Sequence, residues 1–377
     1  MINKLEKEKI IGVKGAYGEQ NFGDDAIMLF LYRWFKKKKI DVVFIGKPNS
    51  YVNKLFPGCN YILKGEEHKY DFDLLILGGG TQAFSFSKVS KLEKLKGYLW
   101  ILLSEPKKGL LKLAHFLKNK IIETNPSSQN LIGLGIGFGP FLKGSKIQVD
   151  TEQLIKRMEV LYVRDSLSYE FASQHNNNTY LYSDICYLTD IMDLPKRKNK
   201  RNTIKSIGVI IRDWKHDDSG NKYYQKLQTQ ILELRNDGYI VQYILFKEEN
   251  YWIKYLRKND EQYIIWQPNE QSIEDFIEVL GTFDLFISAR FHGVIFGALL
   301  GIPSISIEVE QKLALVSRMI YGHELVWKQP FNSEELRELL SRSQIEYDSL
   351  IQKINESNRE NMLKSNQMFN DLLLNLK

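Results

Sequence analysis

The chain has 377 residues, 43% of them hydrophobic and 26% charged, with a formal net charge of +6. This length predicts two domains, each large enough to bury a core of its own, in a globular protein. Two cysteines without a CxxC spacing and six scattered histidines argue against a disulfide framework and a zinc site. No apolar run reaches membrane-spanning length and residues 1–9 lack the apolar core of a signal peptide, so we expect a cytoplasmic protein. The charge favours an anionic substrate or an acidic membrane surface over nucleic acid, because no basic stripe with interleaved aromatics is present.

The N-terminal half alternates between predicted strands and helices. The strands are at 10–14, 40–46, 73–77, within 131–140, at 160–163 and at 180–182, and the helices are at 25–38, 85–128 and 166–174. Glycine-rich sequences follow three of these strands, at 15–24, at 78–80 and at 135–140. A glycine-rich loop before a helix can hold a ligand, although glycines there can equally relieve turn strain or allow tight helix packing.

Several polar residues of this half lie at predicted strand ends or helix starts. Asn21 and Gly23 belong to the first glycine-rich loop, and Asp24 or Asp25 is the expected N-cap of the following helix. Arg164 comes directly after the strand at 160–163, where Asp165 or Ser166 would cap the next helix. An ion pair that holds this helix is a simple explanation of Arg164.

Residues 193–206 contain a proline, six basic residues and no apolar core, as expected of a linker. The alternation of strands and helices then restarts. The strands are expected at 207–212, 239–246, 262–266, 284–288 and 302–307, and the helices at 223–238, 273–280, 293–300, from 311 and at 348–376. We therefore predict an N-terminal Rossmann-like domain over 1–195, a linker over 196–206, a second such domain over 207–345 and a C-terminal helix over 346–377 that packs back on the first domain. The fold class is α/β, with two doubly wound domains facing each other across a cleft.

The segment at 284–312 carries the clearest functional signal. A buried strand at 284–288 leads directly to Arg290 and His292, and an apolar helix of small residues follows. Ligands of open α/β sheets bind outside the carboxyl ends of the strands, where a helix N-terminus adds N–H donors. Arg290 would bind phosphate or carboxylate, and His292 would supply an acid or base. Arg212 occupies a similar place after the strand at 207–212.

Several widely separated motifs together resemble the polysaccharide pyruvyl transferase family over roughly residues 10–320. They are N-x-GD at 21–24, D-x-x-I-x-GGG at 73–80, the glycine-rich segment at 135–140, V-R-D at 163–165, Asp184 after a strand, G-V-x-x-R at 208–212, and S-x-R-x-H at 288–292 with Lys312 behind it. The resemblance implies a GT-B-like pair of domains and an enzyme of polysaccharide or cell-wall biosynthesis. It also implies phosphoenolpyruvate as co-substrate, a sugar, oligosaccharide or lipid-linked glycan as acceptor, and no cofactor or metal.

The resemblance assigns Arg290 and Arg212 to the anionic groups of the donor, with Lys312 and Arg164 as further cations. His292 is expected to be the general acid or a phosphate ligand. Asn21, Gly23, Asp24, Gly79 and Gly80 are expected on the acceptor side, with Asp24 as a base or merely the helix cap. Glu308 and Glu310 are alternatives for the base, or simply partners of Lys312. The segment that begins at Asp184 departs from the family pattern, because its sequence is D-I-C-Y.

Two other functions fit the same pattern. One is a glycosyltransferase of the same build with a nucleotide-sugar donor, whose diphosphate the arginines would bind. The other is a non-catalytic partner in polysaccharide assembly. The sequence leaves open the acceptor sugar, peripheral membrane association and whether the chain forms a homo-oligomer.

Overall fold

The computed structural model describes residues 9–83, 130–195, 203–217 and 219–376. In its first half, the strands are β1 (Ile11–Lys14), β2 (Val42–Gly46), β3 (Asn60–Leu63), β4 (Leu74–Ala83), β5 (Leu131–Phe138), β6 (Val160–Val163) and β7 (Thr179–Leu181). The helices there are α1 (Phe22–Lys38), α2 (Tyr51–Leu55), α3 (Lys146–Arg157) and α4 (Ser166–Ser173). The strands form one parallel sheet in the order β3-β2-β1-β4-β5-β6-β7.

The second half repeats this architecture. Its strands are β8 (Ser206–Ile211), β9 (Ile240–Leu245), β10 (Tyr263–Ile265), β11 (Leu285–Ser288), β12 (Ser304–Ile307) and β13 (Val326–Trp327). Its helices are α5 (Ser219–Asn236), α6 (Asn250–Lys258), α7 (Ile273–Leu280), α8 (Phe291–Leu299), α9 (Gln311–Tyr321), α10 (Ser333–Ile345) and α11 (Tyr347–Leu376). The sheet order is β10-β9-β8-β11-β12-β13, again parallel.

Both sheets are buried, and this explains their uninterrupted apolar strands. β5, β6, β11 and β12 consist of buried residues along their whole length, as expected where helices cover both faces. The strand order reverses between β1 and β4 in one sheet and between β8 and β11 in the other. Ligands of such sheets bind at the carboxyl ends of these strands.

The start of α1 differs from the prediction. The helix begins at Phe22 with Asn21 as its N-cap, so Asp24 and Asp25 lie in the first turn and neither is the cap. The Asn21 side chain makes no capping bond. Instead, the N–H of Phe22 donates to the Phe246 carbonyl oxygen, 2.8 Å away in the second half. This long-range contact satisfies one of the free N–H groups of the helix start.

Other boundaries also differ from the prediction, since α5 spans Ser219–Asn236 rather than 223–238 and β12 begins at Ser304 rather than at 302. β4 continues through the three glycines to Ala83, because Gly80 and Thr81 still pair with β5. Helix α8 begins at Phe291 rather than at Gly293, so Arg290 is the N-cap residue and His292 lies in the first turn. The strands β3 and β13 and the helices α2, α3, α6 and α10 were not predicted from the sequence. The helix expected at 85–128 lies entirely outside the described residues, as does much of the predicted linker.

An aromatic cluster joins the two halves of the molecule. The ring of Phe22 lies between 4.7 and 5.6 Å from the ring centroids of Phe246, Trp266, Phe276 and Phe296. Phe22 is fully buried, and aromatic pairs at such distances are favourable beyond the area that they bury. The first turn of α1 is thus anchored in the C-terminal half.

Asp25 makes a polar contact across the same interface. Its carboxylate accepts hydrogen bonds from the Tyr51 hydroxyl at 2.7 Å and from Trp266 Nε1, in the C-terminal half, at 2.8 Å. The residue is completely buried. Burial raises the pKa of Asp25 to about 7, although both hydrogen bonds favour the charged form. This carboxyl group therefore titrates near neutral pH.

Helix α11 contacts both halves. Asn358 donates to the Ala298 carbonyl oxygen of α8 at 2.7 Å, while Phe369 packs its ring 4.7 Å from Trp34 of α1. The two halves are therefore linked by α11 as well as by the aromatic cluster. Among the helices that the structure describes, none combines the length and apolarity that a membrane crossing needs.

Candidate active site between the two domains

Three cations of the C-terminal domain lie at the carboxyl ends of its strands. Arg212 follows β8, Arg290 follows β11, and Lys312 lies in the first turn of α9 after β12. Burial lowers the pKa of Lys312, and the charge of Arg212 lowers it further, against the opposing effect of Glu310. Burial likewise lowers the pKa of Arg290, to which the charge of Arg212 adds. These cations are close enough to repel each other, and a bound anion would relieve this repulsion.

Buried carboxylates fix the positions of these cations. Glu310 forms ion pairs with Arg212 and, at 2.9 Å, with Lys312. Glu249, on the loop after β9, forms an ion pair with Arg290 through its Oε1 and accepts the Asp213 N–H through its Oε2. Burial would raise the pKa of Glu310, but the charges of its two partners lower it below the usual value. Glu310 therefore pairs with cations rather than being free to act as a base.

A fourth cation comes from the N-terminal domain. Arg164 Nη1 lies 2.8 Å from Asp184 Oδ2, and Nη2 donates to Thr81 Oγ1 at 3.0 Å. Its guanidinium lies 4.3 Å from the ring centroid of Phe291, the first residue of α8 in the other domain. Arg164 also contributes to lowering the pKa of Lys312, after the burial of that side chain and the nearer charges. Arg164 thus makes the expected ion pair but also faces the cations of the C-terminal domain.

His292 projects from α8 against the N-terminal domain. Its Nδ1 edge packs on Gly23 so closely that any side chain at position 23 would collide with the ring. Its Nε2 lies 3.5 Å from Asp184 Oδ2. Burial raises the pKa of Asp24, while the charge of His292 and the hydrogen bond from Asn21 Nδ2, at 2.5 Å, oppose the shift. The imidazole therefore lies beside two carboxyl groups of the opposite domain.

Three nitrogen atoms of this cleft are buried without a hydrogen-bond partner among the described residues. They are Arg164 Nε, Arg290 Nε and His292 Nε2. Buried N–H groups are rarely left unpaired, because each costs about 1–3 kcal/mol. Three such donors between two domains, surrounded by four cations, favour the binding of a multiply charged anion.

The same cleft contains one set of potential metal ligands. Within the described part of the chain, ligand atoms of Asp184, Cys186 and His292 lie within 4.8 Å of one another. However, Arg164 already pairs with Asp184, and burial raises the pKa of the Cys186 thiol. A cation next to the carboxylate and a protonated thiol both disfavour a metal ion. Both features make these three residues a poor set of metal ligands.

The residues singled out in the sequence fall into three groups. His292, Asp24, Asn21 and Gly23 come together in one subsite. Gly80 adjoins it, since a Cβ there would lie 3.5 Å from Asp24 Oδ1. Arg290, Arg212, Lys312 and Arg164 form the cationic cluster described above. Gly79 instead packs against Ile27 and Ile185 and serves helix packing.

Sequence reasoning missed the contribution of Glu249 and gave Asp184 no role. Glu249 follows β9 just as Arg212 follows β8, so its place at a strand end was a usable signal. Asp184 also follows a strand, and its pairing with residues of both domains becomes evident only in three dimensions. Glu308 is only partly buried. Burial raises its pKa, and the charge of Lys328, rather than that of Lys312, opposes the shift.

Comparisons with known structures support the fold. The chain is similar to a glycosyltransferase from Rickettsia africae, with 12% identity and a TM-score of 0.55 over 98% of this chain and 97% of that one. It is also similar to the UDP-N-acetylglucosamine 2-epimerase of Rickettsia bellii, with 11% identity and a TM-score of 0.55 over 97% and 96% of the two chains. The Neisseria meningitidis UDP-GlcNAc 2-epimerase bound to UDP-GlcNAc gives 11% identity and a TM-score of 0.56 over 97% and 100%. These similarities confirm the predicted GT-B-like α/β fold.

The comparison with protein families is more specific than the similarity of fold. No curated protein matches the sequence significantly. The family model of the polysaccharide pyruvyl transferases matches residues 21–311, which include every landmark from Asn21 to His292. The resemblance noted in the sequence is thereby confirmed, and the chain belongs to the polysaccharide pyruvyl transferase family.

Proposed function

We propose that this protein transfers the pyruvyl group of phosphoenolpyruvate to two hydroxyls of one sugar in a cell-surface polysaccharide or its precursor. Membership of the family supports a pyruvyl-transferring enzyme with a glycan acceptor. In the reaction, a proton adds to the methylene carbon of the donor and the first hydroxyl attacks the neighbouring carbon. The second hydroxyl then displaces phosphate and closes the ketal. One hydroxyl proton is balanced by the new methyl group and the other leaves with phosphate.

The observation that carries this proposal is the set of unpaired donors in the cationic cleft. Phosphoenolpyruvate has a phosphate and a carboxylate, and the buried Arg290 Nε and His292 Nε2 have no hydrogen-bond partner within the described part of the chain. Arg212 and Lys312 add charge on the C-terminal side. Preorganised cations of this kind stabilise charge in a water-poor site without reorganisation during the reaction.

His292 and Asp24 have suitable positions for proton transfer. His292 Nε2, which has no hydrogen-bond partner among the residues that the structure describes, can donate a proton to the methylene carbon, and Asp184 Oδ2 lies 3.5 Å from it. Asp24 has a raised pKa through burial, which makes its carboxylate a stronger base for a sugar hydroxyl. The acid is thus assigned to the C-terminal domain and the base to the N-terminal domain.

A thermal unfolding titration tests the donor. A ligand that binds only the folded state at 100 times its Kd stabilises it by about 2.7 kcal/mol. We expect phosphoenolpyruvate to raise the melting temperature, and Arg290→Ala to abolish this rise. Arg235→Ala is the matched control, because Arg235 also forms an ion pair, with Glu261, on a different part of the domain.

UDP-GlcNAc is the comparison ligand, since two of the similar structures are epimerases of this nucleotide sugar. A rise with UDP-GlcNAc and none with phosphoenolpyruvate would overturn the proposal in favour of a nucleotide-sugar enzyme. A phosphoenolpyruvate effect that survives Arg290→Ala would overturn the assignment of the donor site.

A further inference from the structure

Asp184 occupies the contact between the two halves of the cleft. It follows β7 and is 2% exposed. Its Oδ1 accepts the Cys186 N–H at 3.0 Å, which fixes the carboxylate at the start of a single helical turn. Its Oδ2 lies 2.8 Å from Arg164 Nη1 and 3.5 Å from His292 Nε2. One buried oxygen atom thus faces a cation of its own domain and the imidazole of the other.

This carboxylate is held in its charged form. Burial would raise the pKa of Asp184, but the charge of His292, its polar contact with the carboxylate, the charge of Arg164 and the Cys186 N–H outweigh it and lower the pKa below the usual value. At 3.5 Å, the contact between Asp184 Oδ2 and His292 Nε2 is longer than an ordinary hydrogen bond. Asp184 therefore places a fixed negative charge beside the Nε2 edge of the imidazole.

The other charged groups of the cleft do not replace Asp184. Asp24 of α1 lies on the Gly23 side of the ring, and burial raises its pKa although the charge of His292 opposes the shift. Arg290, at the start of α8, and Arg164 are positive and oppose the imidazolium form. The Cys186 thiol has a pKa raised by burial and contributes no charge.

We propose that Asp184 is a positioning residue for His292, whose ring it holds at the contact between the domains with the Nε2 proton directed into the cleft. This inference rests on the proposed function, in which that proton moves from Nε2 to the methylene carbon of the donor. The N–H bond breaks, a C–H bond forms, and the imidazole is left neutral beside Asp184 until it regains a proton. Because Asp184 and His292 belong to different domains, the proton donor is complete only when the domains are in contact.

Histidine NMR tests this coupling without any donor or acceptor. The protein is labelled with ¹³C-histidine, and the ring signal of His292 is identified by its loss in His292→Gln. We expect Asp184→Asn to move the titration of this signal to lower pH by about 1 to 3 units, the effect of an opposite charge at this distance. The amide keeps the shape and can still accept the Cys186 N–H.

Asp165→Asn is the matched control. Asp165 is also buried and lies 3.7 Å from Arg164 Nε, but it caps α4 by accepting the Ser168 N–H, a role that asparagine can fill. The control should leave the His292 titration unchanged. An equal shift in both variants, or no shift in Asp184→Asn, would overturn the inference.

Arg164→Gln provides an independent second variant with an effect of opposite sign. Removing the competing cation leaves the charge of Asp184 to His292 alone, so the signal should titrate at higher pH than in the unaltered protein. A shift to lower pH, or none, would contradict the proposed role of Asp184. Failure of phosphoenolpyruvate to protect the unaltered protein would instead refute the proposed donor, and the two failures are therefore distinguishable.

Discussion

Replacing Asp25 by asparagine should make the protein more stable at neutral and alkaline pH. In the folded protein the carboxyl group is enclosed by Tyr51 and Trp266, and its pKa is about 7 against an ordinary value of 3.8. The folded state therefore retains a proton that the unfolded chain releases. Asparagine can accept from Trp266 Nε1 through its oxygen and donate to the Tyr51 hydroxyl, so it preserves both contacts without the buried charge.

The magnitude follows from linkage. Below the unfolded pKa both states are protonated, and between that pH and about 7 the ionisation of Asp25 progressively favours unfolding. Each unit of pKa difference corresponds to about 1.4 kcal/mol, so a shift of about 3 units destabilises the folded state by about 4 kcal/mol above pH 7. At pH 5 only about 1.5 kcal/mol of this penalty has developed. The advantage of Asp25→Asn should therefore grow by about 2 to 3 kcal/mol between pH 5 and pH 8.

Urea unfolding followed by circular dichroism at pH 5 and pH 8 measures this difference. Asp41→Asn is the control, because Asp41 is exposed at the start of β2 and its replacement should have the same small effect at both pH values. A stability difference for Asp25→Asn that is constant with pH would refute the reasoning. So would an asparagine variant that loses stability as the pH rises.

The remaining predictions concern contacts between and within the domains. Gly23→Ala should lower the free energy of unfolding by about 1–3 kcal/mol and weaken phosphoenolpyruvate binding, because the added methyl group displaces His292. Urea unfolding measures the first effect, and a titration with phosphoenolpyruvate measures the second. Phe22→Ala should cost about 3–5 kcal/mol in urea unfolding by emptying the aromatic cluster. Ser272→Ala removes the capping box of α7 and should cost about 1 kcal/mol in the same assay.

Each of these variants has a counterpart elsewhere in the chain. Gly281→Ala is the control for Gly23→Ala and places alanine at a glycine with ordinary helical backbone angles. Leu232→Ala is the control for Phe22→Ala and truncates a side chain that is 54% exposed. Ser341→Ala is the control for Ser272→Ala and changes an exposed serine inside α10. All three should alter stability by less than about 0.5 kcal/mol. Losses in these counterparts equal to those in the test variants would contradict the specific contacts invoked.

The strand ends were predictable because parallel strands buried on both faces are short apolar runs. The runs before Arg212 and Arg290 end abruptly in charged residues, and the structure places both side chains at carboxyl ends of strands. β11 ends at residue 288 as predicted, and β8 ends one residue before its predicted end. The α7 boundaries were also correct, because a serine cap and a glycine end the helix pattern. Local chemistry is sufficient for such features.

Contacts between the domains could not be predicted from the local sequence around the residues that make them. Asp25 resembled a helix cap, yet its partner Trp266 is 241 residues away in the sequence. The glycines of β4 resembled a strand end, but pairing with β5 carries the strand past them. Glu249 and Asp184 could be located at strand ends, whereas their pairing with Arg290 and His292 depends on which loops the two sheets bring together.

The return of α11 to the N-terminal domain has a topological consequence. The chain passes from the first sheet to the second between β7 and β8, and α11 then spans the two sheets a second time, with Asn358 on α8 and Phe369 on α1. The peptide connection between β7 and β8 is therefore one of several links between the halves and need not be continuous. Two separate polypeptides, divided there and co-expressed, should assemble, co-purify and unfold as a single unit.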